Sequence, residues 1–203
     1  MKNIIIIIIL FLPLTIFSQE KIGSYEIFGK ELNIQVTEPN DKGYTLYLDG
    51  YPLDKIVSKG GLMIESKKVD DFKNACNEAK EKYIEWTSTA KENNVTDLRK
   101  DIKVKIPKLE GYFSYGDWNF DFNVSPYFVY LITKDKKSGK VSYGLALYTG
   151  GMQASDNEYI DTDSFCYGFY TLEDIENFIS LLDSKLVYDH FGSKNSKEDL
   201  FKD

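Results

Sequence analysis

The chain has 203 residues, enough for one domain or two small ones, and its 42% apolar and 28% charged residues exclude disorder or a fibrous repeat as a description of the whole. With 25 Lys plus Arg against 32 Asp plus Glu, the net charge of -7 speaks against nucleic acid or an anionic membrane surface as the partner. One His and two Cys leave few ligands for zinc, haem or iron–sulfur centres, so no cofactor is expected.

Met1-Lys2-Asn3 is a short cationic start, and Ile4 to Phe17 is an apolar run of 14 residues, too short for a comfortable membrane span of about 20. The small residue Ser18 follows. The three parts together predict a secretory leader over residues 1–18, a mature chain from Gln19, and export to the periplasm or beyond. No Cys lies near that boundary to carry a lipid, and no membrane span is expected once the leader is gone.

Residues 24–28 look like a short strand. Leu32, Ile34 and Val36 alternate with Asn33, Gln35 and Thr37, the period of a half-buried strand, and after the turn Asn40-Asp41-Lys42-Gly43 a second strand returns over 44–48. A loop carries Gly50 and Pro52, and 61–65 is a further short strand. From Val69 the period changes. Val69, Phe72, Cys76, Ala79, Tyr83, Trp86 and Ala90 form one apolar stripe, predicting a helix that ends near Asn93-Asn94. Asp70 and Asp71 fall in its expected first turn, and Glu78 and Lys82 have i,i+4 spacing.

Ile102, Val104 and Ile106 predict another strand. Residues 112–115 and 118–124 flank Gly116-Asp117, a pair suited to a two-residue hairpin turn. Residues 127–132 lack polar alternation and predict a strand covered on both faces. After the turn at 136–139 come a strand over 141–147, an acidic loop over 150–164 and a strand over 165–170. Thr171 and Asp174 have capping-box spacing before a second helix, whose stripe is Leu172, Ile175, Ile179, Leu182 and Leu186.

The expected fold is therefore α+β: twisted antiparallel sheet, in one or two layers, with two amphipathic helices packed on it. A single domain over 19–188 is expected, with 189–203 a polar, flexible tail. The two helical stripes superpose at a displacement of 103 residues, so a pseudo-duplicated sheet-plus-helix unit, with halves 24–92 and 101–188, is one arrangement the pattern allows.

Chemistry-bearing patterns are few. The single His, His190, sits beside the tail without a Ser–Asp context for a triad, so no catalytic residue is nominated. Asp156, Glu158, Asp161 and Asp163 are hard oxygen ligands within eight residues and make a candidate Ca²⁺ loop, although the EF-hand register is absent. In an oxidising compartment Cys76 and Cys166 are candidates for a disulfide, with two buried thiols as the alternative. Strand aromatics are the remaining feature: Trp118, Tyr115, Tyr127 and Tyr143 are the candidate binding rings, since rings exceeding what a core buries make platforms for sugars or protein partners.

These observations lead to an exported, non-enzymatic binding protein of the bacterial envelope, with a protein or a glycan as partner. A glycan-binding module using the strand rings, an immunity or inhibitor protein covering a basic partner, and a carboxylate-dependent hydrolase are the specific forms that the composition leaves open.

Overall fold

The computed structural model describes residues 19–199, and the expected leader over 1–18 lies outside the described residues. Along the chain run β1 (Gln19–Ile27), β2 (Lys30–Thr37), β3 (Thr45–Asp49), β4 (Tyr51–Pro52), β5 (Gly60–Glu65) and α1 (Ser66–Glu92). Then come β6 (Leu98–Ile102), β7 (Leu109–Tyr115), β8 (Asp117–Val124), β9 (Tyr127–Lys134) and β10 (Val141–Tyr148). The last elements are β11 (Met152–Gln153), β12 (Asp161–Thr162), β13 (Phe165–Phe169), α2 (Leu172–Ser180) and α3 (Ser184–Asp199). One sheet has six strands in the order β1-β2-β3-β5-β7-β8, a second has five in the order β4-β13-β10-β9-β6, and β11 and β12 form a separate ribbon. All these pairings are antiparallel, so the architecture is the α+β class that the alternating segments predict.

Each sheet draws strands from both parts of the sequence. β7 and β8 join the N-terminal sheet and β4 joins the C-terminal one, so the sheets do not follow the division into 24–92 and 101–188.

In β2 and β3 the period of two decides the faces. Leu32, Ile34, Val36, Leu46 and Leu48 are buried, with Ile34 opposite Leu48 and Val36 opposite Leu46. Their neighbours Asn33, Gln35, Tyr47 and Asp49 therefore share the opposite face. The β1–β2 turn carries Phe28 at φ 53° and Gly29 at φ 75°, the left-handed pair of a tight hairpin in which Asn-Gly is the usual choice. A ring residue avoids that region unless contacts hold it there. Here the Phe28 ring packs edge-on against Tyr51 (5.1 Å) and Tyr170 (6.0 Å), both beyond its own sheet.

Helix α1 buries the expected stripe, Val69, Phe72, Cys76, Ala79, Tyr83 and Ala90, together with Ala75; burial of each large apolar side chain contributes about 1.5–3 kcal/mol. Trp86 lies 5.7 Å from the ring of the fully buried Tyr130. The helix starts at Ser66, directly from β5, so Asp70 and Asp71 fall beyond its first turn, and Lys82 pairs with Glu85 (2.7 Å) rather than with Glu78. Further on, the strand expected over 102–106 ends at Ile102, where its pairing with Phe128 of β9 ends; the following residues cross to the six-stranded sheet.

The expected second helix is two helices. Its capping box is present, with Asp174 N–H donating to Thr171 Oγ1 (3.1 Å) and Thr171 N–H donating to Asp174 Oδ2 (3.1 Å). The helix stops at Ser180 because Asp183 opens the next one, its Oδ1 accepting the Lys185 N–H at 2.9 Å. Asp183 also bonds Lys73 of α1 at 3.0 Å. Where a flexible tail is expected, α3 continues to Asp199. Buried Val187 and Phe191 anchor it, and His190 Nε2 lies 3.0 Å from Glu20 Oε2 of β1.

The two sheets are joined by a hydroxyl. Tyr167 of β13, fully buried, accepts the Leu62 N–H at 2.9 Å and donates to Leu48 O at 2.7 Å. Leu48 and Leu62 face one another in the β3–β5 ladder, so the hydroxyl of one sheet is seated within the ladder of the other. Gly61, next to Leu62, makes room: a Cβ there would lie 1.9 Å from Leu48 O and 2.8 Å from the Tyr167 hydroxyl.

Tyr167→Phe removes that hydroxyl and leaves a buried N–H and C=O short of a partner. We expect a loss of about 1–3 kcal/mol, read as a lower urea midpoint at unchanged m-value. Burial first, then neighbouring tyrosines and Asp49, raises Tyr25 and Tyr112 well above the ordinary tyrosine range; burial does the same for Tyr167. Their folded values exceed the unfolded one, so the stability they contribute is intact below about pH 10 and falls as pH rises beyond it. A titration followed at the phenolate absorbance should show exposed tyrosines ionising first and these three only as the protein unfolds.

Candidate functional site

The polar face of the six-stranded sheet forms a cleft of about 460 Å³. Its floor is a row across the strands. Asp49 of β3 stands opposite Gly61 of β5, Gly61 opposite Tyr112 of β7, and Tyr112 opposite Phe120 of β8. Across Gly61, the Tyr112 hydroxyl donates to Asp49 Oδ1 at 2.7 Å. Asp49 Oδ2 accepts the Asn33 N–H at 3.3 Å, and the Asp49 carbonyl accepts the Tyr25 hydroxyl from β1. Both carboxylate oxygens are thus engaged inside the fold, and Asp49 is held in one orientation.

Three rings stand beside that row. Tyr47 meets Tyr112 edge-on at 5.5 Å, and Trp118 lies over Tyr112 at 5.8 Å with a 47° tilt. Tyr112 is 6% exposed whereas Trp118 is 54% exposed, so one ring is floor and the other is wall. Asn33, Gln35, Ser58, Lys30, Lys59 and Glu31 are also part of the lining. The Lys59 carbonyl accepts the Ser114 N–H (2.9 Å), which fixes that loop against β7.

The exposure of Trp118 follows from the hairpin register. Ser114 faces Trp118 and Tyr115 faces Asp117, which leaves Gly116 (φ 72°) at the apex instead of a two-residue Gly116-Asp117 turn. A register shift between Leu109 and Gly111 then changes the alternation, so that Asn119 and Val124 are buried while Trp118, Phe120 and Phe122 are exposed. The outer side of β8 is covered in part by the segment after β11. There the Ser155 N–H donates to Phe120 O (2.8 Å) and the Phe122 N–H donates to Ser155 Oγ (3.2 Å).

Of the rings expected from sequence to bind, Trp118 lines the cleft. Tyr115 sits half exposed beside the β7–β8 apex, outside the lining. Tyr127 and Tyr143 belong to the other sheet. Tyr127 stacks on Tyr148 at 5.5 Å, and the Lys91 ammonium stands 5.4 Å over the Tyr143 ring. The cleft residues not nominated from sequence, Asn33, Gln35, Tyr47, Asp49 and Tyr112, carry a visible signal in the polar or aromatic members of alternating strands; their gathering over Gly61 depends on pairing between distant segments.

The acidic segment 150–164 folds around the β11–β12 ribbon beside a shallow depression lined by Asp121, Asn123, Asp156 and Glu158. Asp161 is held in the ribbon opposite Gln153, and Asp121 Oδ2 accepts the Gln153 N–H at 3.1 Å. Among the described residues no group of three or more His, Cys, Asp or Glu side chains is placed to hold a metal ion, so Asp156, Glu158, Asp161 and Asp163 do not converge as the sequence spacing suggests.

Cys76 on α1 and Cys166 on β13 are each buried as free thiols. Burial pushes the Cys166 thiol up to about 11 and Cys76 further, so neither is a ready nucleophile at neutral pH. Among the described residues, no helix is long and apolar enough to cross a membrane.

No protein-family model matches the chain, and no curated protein or solved structure is significantly similar to it.

The Asp49–Tyr112 bond is the test of the cleft floor. Asp49→Ala and Tyr112→Phe should each destabilise by about 1–3 kcal/mol, and the double variant by clearly less than their sum. Strict additivity in urea unfolding would show that the bond does not tie the floor together.

Proposed function

We propose that this is an exported, non-enzymatic binding protein of a bacterial envelope whose cleft takes a glycan. The observation that carries the reading is the placement of Tyr47, Tyr112 and Trp118 beside Asn33, Gln35 and Asp49 on one concave face. A sugar ring has an apolar C–H face and a rim of hydroxyls. Flat rings take the first and fixed amide and carboxylate groups take the second, at little cost in side-chain ordering. The internal engagement of Asp49 supports binding over hydrolysis. A hydrolase of the two-carboxylate type needs acids that are available to move protons, and here Asp49 is bonded to Tyr112 and Asn33, and Glu31 to Lys21 (2.8 Å). The leader-like pattern of residues 1–18 supports export.

The chain has two tryptophans, and Trp86 packs against Tyr130 on the far sheet, so ligand-induced change in tryptophan fluorescence reports mainly on Trp118. Titration with neutral and charged oligosaccharides should change that signal saturably. Trp118→Ala should weaken binding roughly tenfold or more without changing the unfolding midpoint. Wild-type affinity in the Trp118→Ala protein would refute the reading.

A further inference from the structure

The floor of the cleft holds one fixed charge, and on the reading that the cleft binds a glycan this charge narrows the class of sugar. Acids and lysines are equal in number in the lining, but their side chains are differently placed. Glu31 is neutralised by Lys21 at 2.8 Å in an exposed pair. The Lys30 ammonium stands 5.8 Å over the ring of Tyr51, which belongs to the other sheet and lies outside the lining. Lys59 is held to β7 by its carbonyl, and its ammonium enters no ion pair among the described residues. Asp49 differs from all of these. Its carboxylate is fixed by the Tyr112 hydroxyl (2.7 Å) and the Asn33 N–H (3.3 Å), both neutral donors, and it has no ion pair among the described residues.

A carboxylate has about four acceptor positions on its two oxygens, and these bonds occupy one on each. The floor therefore carries a partly exposed negative charge with spare acceptor capacity and no counter-charge. Its field is felt nearby: after burial, the Asp49 charge is the largest cause that raises the Tyr112 phenol above the ordinary tyrosine range. The rings beside it act in the same sense. Tyr47 stands two residues back on β3 and so shares the face of Asp49, and Trp118 lies over Tyr112. The faces of such rings attract cations. A lysine at the lip can turn its head to water, whereas the doubly bonded carboxylate cannot turn away. With a Debye length of about 8 Å at physiological salt, a ligand on the floor responds most to the charge that is fixed there. A neutral sugar would leave Asp49 without a counter-charge, and an acidic one would be repelled by it. A sugar carrying an ammonium group would supply the counter-charge while its ring stacks on Trp118 and its hydroxyls meet Asn33 and Gln35.

We infer that the cleft selects glycans with free amino groups, de-N-acetylated hexosamine chains, with Asp49 taking the ammonium and Trp118 the sugar ring.

The experiment uses the purified protein at mildly acid pH and three β-1,4-linked tetrasaccharides that differ only at the second carbon of each ring. Glucosamine tetramer carries an ammonium there, N-acetylglucosamine tetramer an acetamide and glucose tetramer a hydroxyl. We expect the ammonium form to bind roughly tenfold or more tightly than either neutral form, with an affinity that falls as salt rises. Asp49→Asn keeps an oxygen for the Tyr112 hydroxyl and removes the charge, and it should bring the ammonium form down to the affinity of the neutral ones. Trp118→Ala should weaken all three. A chain of net charge -7 attracts a polycation at many places, and a preference that survives in Asp49→Asn would assign it to that general attraction and overturn the inference. In the wild-type protein the preference should also vanish in mild alkali as the sugar amine loses its proton, since Tyr25, Tyr47 and Tyr112 around Asp49 are raised and keep theirs. A preference unchanged there would overturn the inference without recourse to any variant. Equal binding of the three tetramers, still lost in Trp118→Ala, would overturn the charge inference and leave the glycan reading standing. Binding of none of them by folded protein would overturn both.

Discussion

Two sheets of unequal size can slide over one another unless something fixes their relative position. In this molecule the fixing group is the hydroxyl of Tyr167. Apolar packing between the sheets is strong but has no direction, so it tolerates small translations. A hydroxyl that donates to Leu48 O and accepts from Leu62 N–H does not, because both bonds fail if the sheets move by an ångström or two. Everything on the far face of the six-stranded sheet inherits that constraint. Leu48 adjoins Asp49 and Leu62 adjoins Gly61, so the buried face that receives Tyr167 and the solvent-side face that carries the cleft share the same two strands.

The joint between the sheets depends on a missing side chain. Gly61 is required on the buried side, where a Cβ would collide with Leu48 O and the Tyr167 hydroxyl. Its backbone stands between Asp49 and Tyr112 in the ladder, so a larger residue would disturb the joint directly and the floor of the cleft through the strand they share. Phe28 makes a comparable link at the periphery, where contacts with Tyr51 and Tyr170 hold a ring residue in the left-handed region.

Local signals in the sequence were sufficient for local structure. The stripe from Val69 to Ala90 describes α1, the alternation from Leu32 to Val36 describes β2, and Thr171 with Asp174 describes the start of α2, because each depends on neighbours a few residues away. The break before α3 was equally local, in the Asp183 side chain that caps Lys185, but the continuous stripe through Leu182 and Leu186 hid it. Long-range pairing was not legible. Nothing within β5 says that β7 lies beside it, and nothing in Tyr51-Pro52 says that these residues leave their neighbours for the other sheet. For that reason Trp118 could be singled out as a ring on a strand, whereas Asp49 and Tyr112, which meet across three strands, could not be connected. The hairpin apex illustrates the sensitivity: a register one residue different from a two-residue turn, followed by the shift near Gly111, leaves the aromatic side of β8 facing solvent.

The outer margins of the sheets carry a consequence for the protein at high concentration. A bare strand at a sheet margin offers its peptide groups to any other chain, which is the route to stacked aggregates. In the five-stranded sheet one margin is β6, whose residues Leu98, Arg99, Lys100 and Asp101 are exposed, so a second copy approaching there would have to desolvate three charges. In the six-stranded sheet the margin at β8 is met by Ser155, whose backbone and side chain occupy the Phe120 carbonyl and the Phe122 amide. Beside three solvent-facing aromatic rings, Ser155 thus takes one carbonyl and one amide of β8 that a second strand would otherwise pair with.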